Sequence, residues 1–300
     1  MVNIELWFIP IDIISIIGTS ITVLLGIIFL LLIIFNKTNR TIPMILIANT
    51  SLSAIAWGSS MLSIAIFTLQ NDLQRIETYD IFCIVRPFFG YGLCGTFHFS
   101  FTLQSLYRYM IVVYPKRLFY QSVRFQLFLM ILTWIYAFVI PIEFIARNEL
   151  VYNMNNQICQ IPLRLSFSII YIANCIYLIP IEITIFIYYK LVRYVKSINT
   201  RTTSINVIIR ARRQLKMVTR IITIIFILLL LGIPYLSFIL MSFFTTPFKY
   251  HFRIAFVFAD VSMAAVMIVL FQFTEQFQSF LIPKKKSQHH IVAVLPVVLN

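Results

Sequence analysis

Charged side chains are scarce in this 300-residue sequence: Asp, Glu, Lys and Arg together make up 11%, whereas hydrophobic residues make up 60%. Soluble globular domains carry roughly 25% charged and about 45–50% apolar residues. A soluble fold could not bury that much apolar surface. A bilayer-spanning helix needs about 20 apolar residues, and the sequence contains seven such stretches. We therefore predict an integral membrane protein without a separate soluble domain.

Clusters of metal ligands or catalytic side chains are also lacking. Only His98 and His251 lie outside the C-terminal tail, and they belong to distant segments. An intramembrane hydrolase or metalloenzyme needs clustered His, Asp or Glu. The chain also lacks the inverted hydropathy symmetry of many transporters. We therefore expect no enzymatic activity, no metal site and no cofactor.

The seven apolar stretches predict an all-α bundle of seven transmembrane helices. This bundle forms one domain, residues 1–283, followed by a short cytosolic tail, residues 284–300. The first stretch is too long and too free of small-residue cleavage signals for a removable signal peptide, so we expect it to stay as a span. The predicted spans are Ile11–Phe35, Ile42–Leu69, Ile81–Val113, Phe125–Ile145, Leu165–Tyr189, Met217–Phe244 and Ile254–Leu281.

Lysine and arginine indicate orientation because they resist crossing the membrane. One set of connections holds seventeen of them: Lys37, Arg40, Lys116, Arg117, Arg124, nine from Lys190 to Arg220, and Lys284 to Lys286. The opposite set holds six: Arg75, Arg86, Arg147, Arg164, Lys249 and Arg253. Most acidic residues fall at or near that second side: Glu5, Asp12, Asp72, Glu77, Asp80, Glu143 and Glu149. We therefore predict an extracellular N-terminus and a cytosolic C-terminus.

The net charge of +14 is then mostly a cytosolic feature. A basic cytosolic surface meets anionic lipid headgroups or an acidic protein partner. Nucleic acid is not needed to explain it.

Two residues of the third stretch have the spacing of a membrane crossing. Arg108 follows Cys83 by 25 residues, which is about 37 Å of helix. Cys83 then lies at the oxidising side, where Cys159 is the only cysteine in the loop between the fourth and fifth stretches. We predict a Cys83–Cys159 disulfide, with two free thiols as the alternative. Cys94 and Cys175 fall inside helices, where unpaired cysteine is usually a small apolar packing residue.

Further residues of the predicted helices carry information besides Cys83 and Arg108. Arg108 is the centre of Tyr107-Arg108-Tyr109. The later helices contribute Trp134, Pro180, Tyr188 and Pro234.

Together these residues resemble the rhodopsin-like family of G protein-coupled receptors, over nearly the whole chain. That family has a cysteine at the outer end of helix three, an arginine 25 residues later in a D/E-R-Y triplet, and a cysteine in the second outer loop. It also has a tryptophan in helix four, a proline and tyrosine in helix five, and a proline in helix six. The resemblance implies a plasma-membrane receptor for an unknown extracellular ligand that activates a heterotrimeric G protein.

Several of the family's residues are replaced. Tyr107 stands in the place of the acid that restrains the arginine, and Gly232 stands where the family has tryptophan two residues before the helix-six proline. Ala54 replaces the sodium-binding aspartate, and residues 267–271 replace the N-P-x-x-Y pattern. A receptor fold that no longer couples to a G protein therefore remains an alternative.

The resemblance and the intramembrane charge suggest one group of coupling residues. We assign coupling and activation to Arg108, Tyr109, Tyr188, Pro180, Pro234, Arg212, Arg213 and Lys216. An arginine within a span is a functional hypothesis by default, although it can also snorkel as an interfacial anchor. The prolines kink their helices and provide hypothetical hinges. Ordinary positive-inside charge is the alternative for the basic residues.

The outer halves of the helices suggest a ligand pocket. Its predicted residues are Arg86, Tyr91, Cys94, Asn174, Tyr177, Tyr235, Phe238 and Asp260. An aromatic wall with one base and one acid suits a peptide or a small chemosensory molecule, although such residues also face lipid or pack. Asp260 could instead make a structural hydrogen bond, and His98 could be a satisfied core histidine.

Two ligand classes are disfavoured by the resemblance. Amine receptors have an aspartate seven residues after the helix-three cysteine, where this chain has Gly90. Opsins need a helix-seven lysine, and no lysine lies between Arg253 and Pro283. We therefore expect neither a monoamine nor retinal. A seven-helix ligand-gated channel or transporter is a further alternative, but it requires pore-lining polar residues, and the intramembrane charges are few and scattered.

Overall fold

The computed structural model describes residues 8–35, 41–74, 82–163, 166–199, 205–245 and 248–273. The predicted tail and the predicted span ends at Ile81, Leu165 and Leu281 lie outside these residues. So do many of the basic residues used for the orientation argument: Lys37, Arg40, Arg75, Arg164, Arg201 and Lys284 to Lys286.

Seven helical stretches form the bundle, and we call them spans one to seven in chain order. They are Phe8–Phe35, Ile42–Gln74, Val85–Val113, Val123–Val139 continued by Ile142–Ala146, Phe167–Ile172 continued to Asn199, Ile205–Met241 and His251–Phe273. Span five passes through a π-helical turn at Ala173–Leu178 before it resumes as Ile179–Asn199. A 3₁₀ turn, Leu118–Gln121, precedes span four.

Several helices are longer than their apolar stretches. Span two ends at Gln74 rather than Leu69, span five ends at Asn199 rather than Tyr189, and span six begins at Ile205 rather than Met217. A helix satisfies its own backbone hydrogen bonds, so it can continue into water where hydropathy no longer marks it. In span four the α-helix is interrupted between Val139 and Ile142, next to Pro141.

Hydropathy alone identifies fewer than seven of these helices. Spans one, two, four, five and seven are each long and apolar enough to cross a bilayer, and span six qualifies if its two parts, bent by 42°, count as one helix. Span three does not qualify by hydropathy because it carries polar residues such as Thr96, Ser100 and Gln104. All three side chains are buried among other helices. A central helix is shielded from lipid, so it tolerates polar residues that a lipid-facing helix does not.

Span three is the central element of the bundle. It contacts spans two, four, five and six, whereas span one packs against spans two and seven. Gln104 Nε2 donates a 2.7 Å hydrogen bond to Thr50 Oγ1 in span two, and Trp134 Nε1 of span four donates a 3.0 Å bond to Asn49 Oδ1. The apolar core includes Phe97 and many residues of spans two, six and seven. Polar links and close packing thus hold the helices together where the hydrophobic effect between them is weak.

A β-hairpin covers one end of the bundle. Its strands are β1, Val151–Asn153, and β2, Ile158–Gln160, paired antiparallel with Tyr152 opposite Cys159. Cys159 forms a disulfide with Cys83, just before span three, as the sequence predicts. We call this end of the bundle the disulfide end, and the opposite end, which carries Arg108, the arginine end.

The disulfide should stabilise the protein as a single unit of two cysteines. Cys83→Ser and Cys159→Ser should each lower the free energy of unfolding by about 2–5 kcal/mol, because each removes the same link between residues 76 apart. The double variant should be no less stable than either single variant. Thermal unfolding of the purified protein measures this, with Cys175→Ser, at a free cysteine, as the control. Additive losses in the double variant would contradict the prediction.

Candidate functional site

The arginine end links spans three and six through Arg108. Its Nη1 donates a 3.1 Å hydrogen bond to Gln214 Oε1 and contacts the sulfur of Met217. Tyr107, which replaces the usual acid, is buried among Leu46 and Met130 of spans two and four. Among the residues that the structure describes, no carboxylate pairs with Arg108, so a neutral amide is its main polar partner.

A cavity of about 230 Å³ lies beside this contact. Spans two, three, six and seven line it, and its polar lining includes Gln104, Arg108, Arg213, Gln214 and Arg220. Arg108, Arg213 and Arg220 make the lining of the cavity basic. It therefore suits an anionic or hydrogen-bond-accepting partner group.

The basic and the tyrosine coupling candidates lie in two different places. Arg212 and Lys216 lie exposed on span six close to the cavity-lining Arg213. Tyr109 and Tyr188 instead pack on an apolar cluster between spans three, five and six, built from Val112, Leu191, Val195 and Val218. Arg212, Arg213 and Lys216 thus lie together on span six at the rim of the cavity. Tyr109 and Tyr188 lie instead at the packing contact of spans three, five and six.

Pro180 and Pro234 have different surroundings. Pro180 is buried, and its carbonyl oxygen accepts hydrogen bonds from Thr102 Oγ1 at 3.0 Å and Thr184 Oγ1 at 2.7 Å. Span five is therefore tied to span three at this proline. Pro234 lies inside span six, where the two parts of the helix are bent by 42°. The predicted kink is confirmed for span six.

Gly232 and Tyr177 form a close contact at that bend. The Tyr177 hydroxyl, from the π-helical turn of span five, donates a 2.8 Å hydrogen bond to the carbonyl oxygen of Leu228. A Cβ atom at position 232 would lie 2.5 Å from the same hydroxyl oxygen. Glycine is therefore required for Tyr177 to reach the backbone of span six. Tyr177 occupies space next to the position where the family has tryptophan.

His98 of span three packs against Tyr177. Its ring packs edge-on against Tyr177 with centroids 5.1 Å apart, and its Nδ1 lies 2.8 Å from the Cys94 carbonyl oxygen. The Nε2 atom is buried without a hydrogen-bond partner among the described residues. The histidine is thus a core residue with only one of its two nitrogens satisfied.

Four of the predicted pocket residues come together at the disulfide end. Tyr91, Cys94, Tyr235 and Phe238 pack against one apolar cluster that includes Phe144 and Phe252. The Tyr91 hydroxyl also hydrogen-bonds Gln160 of β2. We call Tyr91, Cys94, Tyr235 and Phe238 the aromatic group. The hairpin contacts this group through the bond between Tyr91 and Gln160.

Two other predicted pocket residues lie elsewhere. The Arg86 guanidinium stacks on the ring of Phe67, 4.6 Å from its centroid. Asn174 is exposed on span five, where its Nδ2 donates a 2.7 Å bond to the Ile170 carbonyl oxygen. The structure does not bring either side chain into the aromatic group.

A buried charge cluster joins spans one, two and seven at the disulfide end. Both Nη atoms of Arg253 donate to the carboxylate of Asp72, with Nη2 3.2 Å from Oδ1. Its Nη1 also lies 3.4 Å from Asp12 Oδ2. Arg253, Asp72 and Asp12 are only 3%, 4% and 4% exposed. A bidentate pair with several further hydrogen bonds is the geometry in which a buried ion pair is tolerated.

The turn of the hairpin completes this cluster. Gln157 Nε2 donates a 3.0 Å bond to Asp72 Oδ1, and the Asn156 carbonyl oxygen accepts a 3.3 Å bond from Arg253 Nε. Gln157 has φ 54°, in the left-handed region that few non-glycine residues adopt. An uncommon backbone conformation is thus retained where the turn contacts the charges. The cluster fixes the hairpin over the ends of spans two and seven.

Asp260 lies deeper in span seven than Arg253. It is 1% exposed, and Ser15 of span one is its hydrogen-bond partner. Its Oδ1 atom has no partner among the described residues. A small cavity of about 20 Å³ lies between Asp260, Asp12 and Arg253. Asp260 therefore belongs to a polar site between spans one, two and seven, separate from the aromatic group.

Sequence reasoning did not identify the charge cluster. Asp12, Asp72 and Arg253 are treated there as outer-side charges, and nothing in their local sequence distinguishes them from solvated residues. Arg253 is 241 positions from Asp12 and 181 from Asp72. One available signal was their position at the same predicted end of three apolar stretches.

Removing one partner of the buried pair should cost far more stability than removing one partner of an exposed pair. Asp72→Asn should lower the free energy of unfolding by about 3–5 kcal/mol, because it leaves a buried guanidinium without its main counter-ion. Arg147 and Glu143 form an ion pair whose arginine is 51% exposed, so Glu143→Gln should cost about 1 kcal/mol or less. Thermal unfolding of both purified variants measures the difference. Equal losses would show that burial of the Asp72 pair has no special effect.

Comparisons with known proteins agree with this architecture. The family described as "7 transmembrane receptor (rhodopsin family)" matches residues 26–278. The crystal structure of squid rhodopsin is similar, with a TM-score of 0.73 and 17% sequence identity, over 91% of this chain and 83% of the squid chain. At that identity the structural likeness shows the fold alone. No curated protein matches the sequence. Because the family match extends over far more than half of the chain, this multi-pass membrane protein belongs to the rhodopsin family of seven-transmembrane receptors.

Proposed function

We propose that this protein is a plasma-membrane receptor that binds an extracellular ligand at the disulfide end and activates a heterotrimeric G protein at the arginine end. The observation that carries the proposal is the Arg108–Gln214 hydrogen bond beside a basic cavity. A contact between spans three and six at this place can hold the receptor in a resting state. Family membership supports the general function, and this contact supports the specific mechanism.

Activation in this proposal separates span six from span three. The bend at Pro234 provides the hinge, because proline removes a backbone hydrogen bond within the helix. When the Arg108–Gln214 contact breaks, the cavity opens and exposes the guanidinium of Arg108. Arg212, Arg213 and Lys216 on the rim of span six then meet the acidic surface of the partner.

The resting contact is weaker than an ion pair. Gln214 is neutral, so its bond to Arg108 contributes roughly 1.5–3 kcal/mol, the range for a hydrogen bond to a charged group. An equilibrium held by so little energy leaves a measurable fraction of active receptor without ligand. We therefore expect basal signalling.

Substitutions on the two sides of this contact should have opposite effects. Gln214→Ala should raise basal signalling several-fold, because it releases span six, whereas Arg108→Ala should abolish it, because the partner loses its main contact. G protein dissociation sensors in cells measure both at matched surface expression. Arg193→Ala, an exposed arginine of span five, serves as the control and should leave the signal unchanged.

The second candidate function is a receptor fold that does not couple to a G protein. Buried Tyr107 in place of the usual acid is the observation that favours it. A well-expressed wild type without basal signal, unaltered by Gln214→Ala, would support that alternative.

Tyr177 should restrain the bend of span six. Tyr177→Phe removes the hydrogen bond to the Leu228 carbonyl oxygen but keeps the ring next to Gly232. We expect higher basal signalling, by several-fold for the loss of about 1 kcal/mol. Tyr189→Phe, on the exposed face of the same span, is the matched control. Unchanged signalling in Tyr177→Phe, with Gln214→Ala active, would show that the restraint lies only at the arginine end.

A further inference from the structure

The cavity at the arginine end has basic side chains on two neighbouring helices. Arg108 lies on span three, whereas Arg213 and Arg220 lie on span six. Residues seven apart in a helix lie on the same face, separated by about 10.5 Å along the axis, so the two arginines of span six lie one above the other. No acidic residue lines the cavity within the part of the chain that the structure describes. An anion between the two spans would therefore meet basic side chains from both.

Arg108 has an unused donor at this cavity. Its Nη1 atom donates to Gln214 Oε1, but its Nε–H is buried and has no hydrogen-bond partner among the described residues. A buried donor of a charged group without an acceptor is costly, and native structures rarely retain one without a reason. Guanidinium groups form strong, charge-assisted hydrogen bonds with the oxygen atoms of anions. An anion in the cavity would supply the acceptor that Arg108 lacks.

The volume and the apolar walls of the cavity define the rest of a ligand. The apolar lining includes Met44 and Ile47 of span two, Ile221 and Ile224 of span six, and Leu270 of span seven. A dry apolar cavity of about 150 Å³ is enough to bind benzene. The volume here, about 230 Å³, therefore accommodates one aromatic ring together with a small anionic group. An inorganic anion would leave the apolar walls in contact with water.

We propose that this cavity binds a compact organic anion, an aromatic carboxylate or sulfonate, and that the bound anion inhibits the receptor. The anionic group accepts hydrogen bonds from Arg108 and Arg220, and the ring packs against the apolar walls. Such a ligand joins span three to span six in addition to the Arg108–Gln214 bond. Opening separates its partners, so it binds the closed arrangement more tightly and shifts the equilibrium toward the resting state. The inhibitory effect rests on the proposed function, whereas binding does not.

Thermal unfolding of the purified protein tests binding without requiring G protein coupling. The probe is sodium 4-methylbenzenesulfonate, and its neutral counterpart is 4-methylbenzenesulfonamide. At millimolar concentrations the sulfonate should raise the unfolding temperature by about 2–4 °C in a dose-dependent way, since a ligand that binds only the folded state stabilises it. The sulfonamide, and sodium sulfate at equal ionic strength, should produce no comparable shift.

Variants on both helices locate the binding site. Arg108→Gln and Arg220→Gln should each raise the half-maximal concentration of the sulfonate roughly ten-fold or more, because each removes a charge-assisted hydrogen bond. The two positions lie on different spans, so a folding defect in one variant leaves the other informative. Arg193→Gln, at an exposed arginine of span five outside the cavity, should retain the shift.

Basal signalling tests the inhibitory effect. In membranes that contain the receptor and a G protein, the sulfonate should lower basal nucleotide exchange several-fold, both in the wild type and in Gln214→Ala. Arg220→Gln should lose this inhibition. An unchanged or higher signal at concentrations that give the full thermal shift would contradict the inhibitory effect.

Three results would overturn the binding site. They are equal stabilisation by the sulfonamide, stabilisation by sulfate as large as that by the sulfonate, and a full shift retained in both Arg108→Gln and Arg220→Gln. A shift that these variants lose, in a protein without basal signalling even as Gln214→Ala, would support the binding site and contradict the proposed function. Absence of any shift, in a protein with Gln214→Ala-sensitive basal signalling, would overturn the inference and leave the proposed function intact.

Discussion

Polar groups inside a bilayer must find their partners within the protein, because lipid offers no hydrogen bonds. This constraint accounts for the position of span three. Thr96, Ser100 and Gln104 make it too polar to face lipid, and it is therefore surrounded by four other spans. The Thr102 bond to the Pro180 carbonyl and the Gln104 bond to Thr50 then connect it to spans five and two. The polar residues of one helix thus organise the bundle around it.

The two ends of the bundle meet this constraint in different ways. At the disulfide end, a covalent link, a hairpin and the Arg253 cluster fix several elements to one another. At the arginine end, a single neutral amide holds Arg108 across to span six. Several linked contacts thus join the elements of the disulfide end, whereas Arg108 reaches span six through one amide and the sulfur of Met217. The resting contact proposed above therefore lies at the end where a neutral side chain binds the arginine.

Several departures from the family are accompanied by local compensation. Gln214 takes part of the role that an acid next to Arg108 would have, since Tyr107 is buried in an apolar cluster. Tyr177 reaches the backbone of span six only because position 232 is glycine. In both cases a side chain from another helix makes the local contact.

The sequence alone determined the membrane class, the order of the helices, the disulfide and the family, because these depend on composition and on spacing along one chain. It also predicted the kink in span six from Pro234. Four predicted pocket residues, Tyr91, Cys94, Tyr235 and Phe238, do lie together.

Only the tertiary structure decided which polar groups are paired. Helix rotation turns Asn174 outward and places Arg86 on Phe67, and apolar periodicity is too uniform in membrane helices to reveal that rotation. The Arg253 cluster joins residues nearly the whole chain apart, so no local pattern records it. Burial makes Asp12, Asp72 and Arg253 the polar centre of the disulfide end, because a charge removed from water depends on its nearest partners.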